Sequence, residues 1–225
     1  MFKLKICGLT RVVDAELAAL ARVDAIGLNF YAKSKRYVSL EQARTIVSLL
    51  PHGVARVGVF VNHSAEEIRA IQVATQLDYV QLHGDETPEL AAELAPLPII
   101  RGVRCRGVEE AVDAARWVAE CRRGGGVLAG VIVDAFHPSE YGGTGQLADP
   151  AVFFELRRLL PGTPLLLAGG LTPQNVANAI RATCPDGVDV ASGVETSVGS
   201  KDPLLMRSFI ALAREALEAA STRRS

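Results

Sequence analysis

The chain has 225 residues, with 24 Lys and Arg against 25 Asp and Glu for a formal net charge of -1. Its 49% hydrophobic and 22% charged residues are the proportions of a globular protein with a sizeable core, which excludes a disordered segment. The near-zero charge gives no footprint for nucleic acid: Arg122-Arg123 and Arg223-Arg224 stand between acidic neighbours or at the very end, as on a solvated surface.

From the start, Met1-Phe2-Lys3-Leu4-Lys5-Ile6-Cys7-Gly8 lacks the apolar centre of a secretion signal, and no later stretch approaches the ~20 apolar residues that span a bilayer. A cytoplasmic protein without a membrane partner is the expectation. Strand-like runs then follow at Lys3–Cys7, Ala25–Phe30, Val54–Val61, Tyr79–Leu82, Ile99–Val103, Val127–Asp134, Leu165–Ala168 and Val188–Ala191, each trailed by a helix-like stretch. Ser39 caps a helix whose Leu40, Ala43, Ile46, Val47 and Leu50 share one face, and Thr172-Pro173 and Asp202-Pro203 read as further helix starts. About eight βα units is the number that closes a parallel (β/α)8, or TIM, barrel of the α/β class. An open doubly wound sheet shows similar alternation, but the unit count and the lack of a composition break favour one closed barrel over residues 1–225. Gly124–Gly126 reads as a turn, and Ser221–Ser225 as a frayed tail.

A parallel barrel carries its active site at the carboxyl ends of its strands. Cys7 ends the first strand run and Asp134 the sixth. Cys7 is either a buried, inert thiol or one activated by the Gly8-Leu9-Thr10 turn, and a base near neutral pH needs such help because a free thiol titrates near ~8.5. Asp134 is either a loop cap or an acid–base group. The loops Gly169-Gly170 and Ser192-Gly193 follow the last two strand runs, where barrels often hold phosphate; each alone is equally a tight turn, and together they favour a phosphate ester. Arg36 is a candidate clamp for a carboxylate or a solvated arginine, and His83 a structural histidine or a supporting polar group. Gly142-Gly143-Thr144-Gly145 opens no βαβ unit and lacks a P-loop lysine, so a loop closing over the site suits it better than nucleotide binding. Cys7, Cys105, Cys121 and Cys184 are far apart with no CxxC spacing, which suggests neither zinc nor a disulfide framework.

Lys5-Ile6-Cys7-Gly8-Leu9-Thr10, Ser34-Lys35-Arg36-Tyr37-Val38, Val57-Gly58-Val59-Phe60-Val61-Asn62, Gln81-Leu82-His83-Gly84-Asp85-Glu86, Gly142-Gly143-Thr144-Gly145, Ala168-Gly169-Gly170-Leu171 and Ala191-Ser192-Gly193-Val194-Glu195 occur in this order across nearly the whole chain. In these motifs the chain resembles the phosphoribosylanthranilate isomerases of tryptophan biosynthesis. The resemblance implies a (β/α)8 barrel that rearranges a phosphorylated aromatic aminosugar without cofactor or metal, as a monomer or homodimer. It implies Asp134 as general acid toward the ring oxygen and Cys7 as general base at C2. It further implies Arg36 against the anthranilate carboxylate, the Gly169-Gly170 and Ser192-Gly193 loops around the phosphate, and Asp189 lining the site without being essential. One departure is Lys35, where the family usually has proline. A histidine-pathway isomerase is the alternative within enzymes, disfavoured by Cys7 at the base position; a barrel that only binds phosphate esters is disfavoured by Cys7, Asp134 and Arg36 occurring together.

Overall fold

A computed structural model describes residues 1–105, 107–135 and 149–222. Its strands are β1 (Leu4–Ile6), β2 (Ala25–Asn29), β3 (Ala55–Phe60), β4 (Tyr79–Leu82), β5 (Ile99–Cys105), β6 (Leu128–Ala135), β7 (Leu165–Leu167) and β8 (Gly187–Val190). Each pairs in parallel with the next, and β1 closes on β8 through Leu4↔Val188, Lys5↔Asp189 and Ile6↔Val190, giving a closed barrel. The strand runs read from sequence match these strands to within about two residues. The helices are α1 (Val12–Leu20), α2 (Leu40–Ser48), α3 (Ala65–Thr75), α4 (Pro88–Glu93), α5 (Val108–Arg123), α6 (Pro150–Leu159), α7 (Val176–Thr183) and α8 (Pro203–Thr222), with a short hairpin of β9 (Glu195–Ser197) and β10 (Ser200–Lys201) before α8. Among the described residues no helix is long and apolar enough to cross a membrane.

Strand alternation sorts the side chains into two cores. Leu4, Ile6, Ile26, Leu28, Val80, Leu82, Val131, Val133, Leu165 and Leu167 pack outward against the helices. Ala25, Val57, Ile100, Ile132 and Leu166 fill the inside of the barrel with Phe2, whose ring meets Tyr79 edge-on at 5.4 Å between centroids. This plug occupies the lower barrel, and polar side chains take over above it.

Two helix starts agree with their sequence signals. Ser39 Oγ accepts from Gln42 N at 3.2 Å while Gln42 Oε1 accepts from Ser39 N at 2.9 Å, and Asp202 Oδ1 accepts from Leu204 N and Leu205 N ahead of α8. Thr172-Pro173 does not cap a helix. Asn175 Oδ1 accepts from Thr172 N, and Asn175 Nδ2 donates to the Gly170 carbonyl, both at 2.8 Å. These bonds draw residues 172–175 into a separate turn, so α7 begins at Val176. Helix α8 continues through Thr222, past the start expected for the tail; residues 223–225 lie outside the described residues.

Candidate active site

A cavity of about 610 Å³ opens at the carboxyl ends of the strands, and Cys7, Arg36, His83, Asp134, Gly169, Gly170, Asp189, Ser192 and Gly193 all line it. The site residues named from sequence thus converge on one mouth. Gly142-Gly143-Thr144-Gly145 lies outside the described residues.

On one side stands Cys7, one residue past β1 and tied to β8 by its N–H on the Val190 carbonyl at 2.8 Å. Lys5, on the same strand face, is wholly buried, and its ammonium donates to both Asp189 carboxylate oxygens at 3.0 Å. Burial pushes the lysine down, but Asp189 and Cys7 more than reverse this and leave it above its ordinary value. Burial pushes the Cys7 thiol up, and Lys5 and Lys201 draw it back only in part. Gly27 on β2 makes room for this group: a Cβ there would stand 2.7 Å from Cys7 Sγ and 3.0 Å from Lys5 Nζ.

Asp134, near the end of β6, is buried, with its Oδ2 3.6 Å from His83 Nε2. That separation exceeds a direct hydrogen bond and is within ionic reach. Gln81 Nε2 lies 3.2 Å from His83 Nδ1. Gly102 on β5 seats the ring, since a Cβ there would fall 2.1 Å from Nδ1. The backbone just beyond His83 is anchored by buried Glu86, which accepts from Gly84 N, Asn62 N and Arg101 Nη1 at 2.8 to 2.9 Å. Among the described residues the buried Gln81 Oε1 has no hydrogen-bond partner.

Arg36 enters from the loop after β2. Without proline at position 35 the loop is held by hydrogen bonds: Ser34 Oγ accepts from Asn29 Nδ2 and from Arg36 N, both at 3.1 Å. The guanidinium is gripped by Glu195 in a bidentate pair, Nε to Oε1 at 2.8 Å and Nη2 to Oε2 at 2.7 Å. Lys201, buried, donates to the same Glu195 Oε1 at 2.8 Å and to the Ala191 carbonyl at 2.9 Å. Burial pushes the Glu195 carboxyl up, but Arg36 and Lys201 bring it below its ordinary value, while burial leaves Lys201 below the usual lysine range. The stability that Glu195 contributes through its lowered value is therefore present above the unfolded glutamate value of about 4.3 and is lost as pH falls through the lowered value.

The two glycine loops meet. Gly169 and Gly170 take φ of 83° and 60°, the left-handed region that favours glycine. A Cβ on Gly193 would fall 1.7 Å from the Leu171 carbonyl oxygen, so the loops after β7 and β8 touch backbone to backbone there.

Sequence reasoning assigned no role to Lys5, Gln81, Glu195 or Lys201. The available signal was period two: Lys5 precedes Cys7, and Gln81 precedes His83, on the same strand faces. Among the described residues no three His, Cys, Asp or Glu side chains converge as metal ligands do.

Comparison with known proteins points one way. The family model for N-(5'-phosphoribosyl)anthranilate isomerase matches residues 4–211. The N-(5'-phosphoribosyl)anthranilate isomerase of Myxococcus xanthus is 44% identical over 94% of this chain and 96% of its own length. The crystal structure of phosphoribosyl anthranilate isomerase from Thermotoga maritima superposes with a TM-score of 0.85 at 36% identity, covering 96% of this chain and all of that one. A structure of a phosphoribosyl anthranilate isomerase in complex with reduced 1-(o-carboxyphenylamino)-1-deoxyribulose 5-phosphate superposes at 0.82, with 36% identity over 96% of this chain and 100% of that one.

Proposed function

Because the chain belongs to the N-(5'-phosphoribosyl)anthranilate isomerase family, we propose that the mouth of its barrel works by general acid–base catalysis, with Asp134 as the acid and Cys7 as the base. The activity is that of an aldose–ketose isomerase: the Amadori rearrangement of N-(5'-phosphoribosyl)anthranilate to 1-(2-carboxyphenylamino)-1-deoxyribulose 5-phosphate, a step of tryptophan biosynthesis.

The observation that carries this reading is a single cavity lined by Cys7, Asp134, Arg36 and both glycine loops. Asp134 donates a proton to the ring oxygen, and the C1–O bond breaks to leave an iminium at C1. The carboxylate that remains lies 3.6 Å from His83 Nε2. Cys7, as thiolate, takes the proton from C2; the electron pair passes into the C1–C2 bond to give an enolamine, whose tautomerisation yields the ketone. The loops at Gly169-Gly170 and Ser192-Gly193 hold the phosphate through backbone N–H groups, and Arg36 binds the anthranilate carboxylate.

Freshly prepared phosphoribosylanthranilate is fluorescent, and the purified protein is expected to deplete that signal; loss at the rate of a protein-free control overturns the reading. Arg36 can select a carboxylate only if its own carboxylate partner holds the guanidinium in place. Glu195→Gln is therefore expected to raise KM about tenfold with a smaller change in kcat. The same variant is expected to be less stable than wild type at neutral pH, and the gap to close as pH falls through the lowered Glu195 value. Urea titrations across that range check this, and a gap independent of pH counts against it.

A further inference from the structure

Among the described residues Lys5 heads the largest fully buried side chains, and no step of the isomerisation uses it. A buried ammonium is costly unless paired, and an ion pair of this kind can often be replaced by packed apolar groups without loss of stability. Its location suggests why a lysine stands here. Asp189 fixes the ammonium from β8 with both oxygens, and the ammonium and the Cys7 sulfur converge over the single spot that Gly27 leaves bare on β2.

We propose that Lys5 is a positioning residue for the base: its ammonium, held over Gly27 by Asp189, is the counter-charge for the thiolate that Cys7 becomes before it takes the proton from C2. The proposal rests on the reading of Cys7 as base. No proton leaves Lys5. While Cys7 is a thiol, the ammonium is balanced by Asp189; when the sulfur ionises, the ammonium is shared between carboxylate and thiolate; when the proton arrives from C2, it returns to Asp189. The charged groups acting on the sulfur are Lys5 from its own strand, Asp189 from β8 and Lys201 from β10. Burial and Asp189 oppose the thiolate, whereas Lys5 and Lys201 favour it. Lys5 and Asp189 therefore act on the sulfur with opposite sign, which packing alone would not produce.

The test is a pH titration of thiolate ultraviolet absorbance in full-length protein. Each variant is read as the difference from its own Cys7→Ala counterpart, so that the other three cysteines cancel. Lys5→Met is expected to move the Cys7 transition up by about one pH unit or more, and Asp189→Asn to move it down as Lys5 turns wholly to the sulfur. Alkylation of Cys7 by iodoacetamide at fixed pH, followed by peptide mass spectrometry, is expected to slow and to quicken in step. A transition that stays in place in folded Lys5→Met, or that stays or rises in Asp189→Asn, overturns the proposal. If Lys5→Met does not fold, the Asp189→Asn arm decides alone. Turnover is a separate readout: wild-type kcat in Cys7→Ala overturns the base assignment, while the titration still reports whether Lys5 supports the thiolate.

Discussion

Asp134→Asn and Cys7→Ala are each expected to lower kcat by about 100-fold or more while leaving the fold intact, the usual worth of a positioned acid or base. Asparagine has the shape of aspartate and keeps a carbonyl oxygen toward His83, but it has no carboxyl proton to give, so the ring oxygen leaves unprotonated. Alanine at position 7 removes the thiolate and leaves Lys5 paired to Asp189, so no buried charge is stranded and the melting temperature should change little. The measurements are kcat by substrate fluorescence and thermal unfolding by circular dichroism. Wild-type turnover in either folded variant removes that residue's assigned role. The raised thiol adds a pH signature. Wild-type kcat is expected to climb above neutrality as Cys7 ionises, and a flat alkaline profile counts against the thiolate as base.

Gly193→Ala is expected to cost about 100-fold in kcat/KM, the scale of a displacement of about one ångström within a positioned site. The methyl group would fall inside the van der Waals surface of the Leu171 carbonyl, which is backbone and cannot rotate away as a side chain can. The two loops must separate, and they are the pair assigned to grip the phosphate. Because that grip serves every step from binding to release, both KM and kcat should suffer, and inorganic phosphate should bind less tightly to the variant in calorimetry. Unchanged phosphate affinity together with wild-type kcat/KM would remove these loops from the phosphate site.

The barrel was legible because parallel strands are covered on both faces and so read as nearly continuous apolar runs between helix signals. Cys7 and Asp134 were legible as polar residues that end such runs, and both line the cavity. Lys5 was not, because a lysine near the start of a chain reads as surface; its burial depends on Asp189, 184 positions away. Glu195 was hidden in the same way, since its partner Arg36 is 159 positions distant. Thr172-Pro173 misled because a cap followed by proline is a sound local signal, and only the side-chain reach of Asn175 to Thr172 and Gly170 diverts the chain into a turn first. Gly27 and Gly102 look like weak points in strands until their neighbours are known; Gly27 leaves room for Cys7 and Lys5, and Gly102 for the His83 ring.

The pairing of Lys5 with Asp189 lies on the seam where the first strand meets the last. A barrel split between two polypeptides, or halted before its final strand, leaves a lysine stranded in the interior and a sulfur without its full setting. If Lys5 supports the Cys7 thiolate as proposed, competence for chemistry is coupled to completion of the ring, and regained turnover becomes a reporter of closure when complementary fragments are mixed.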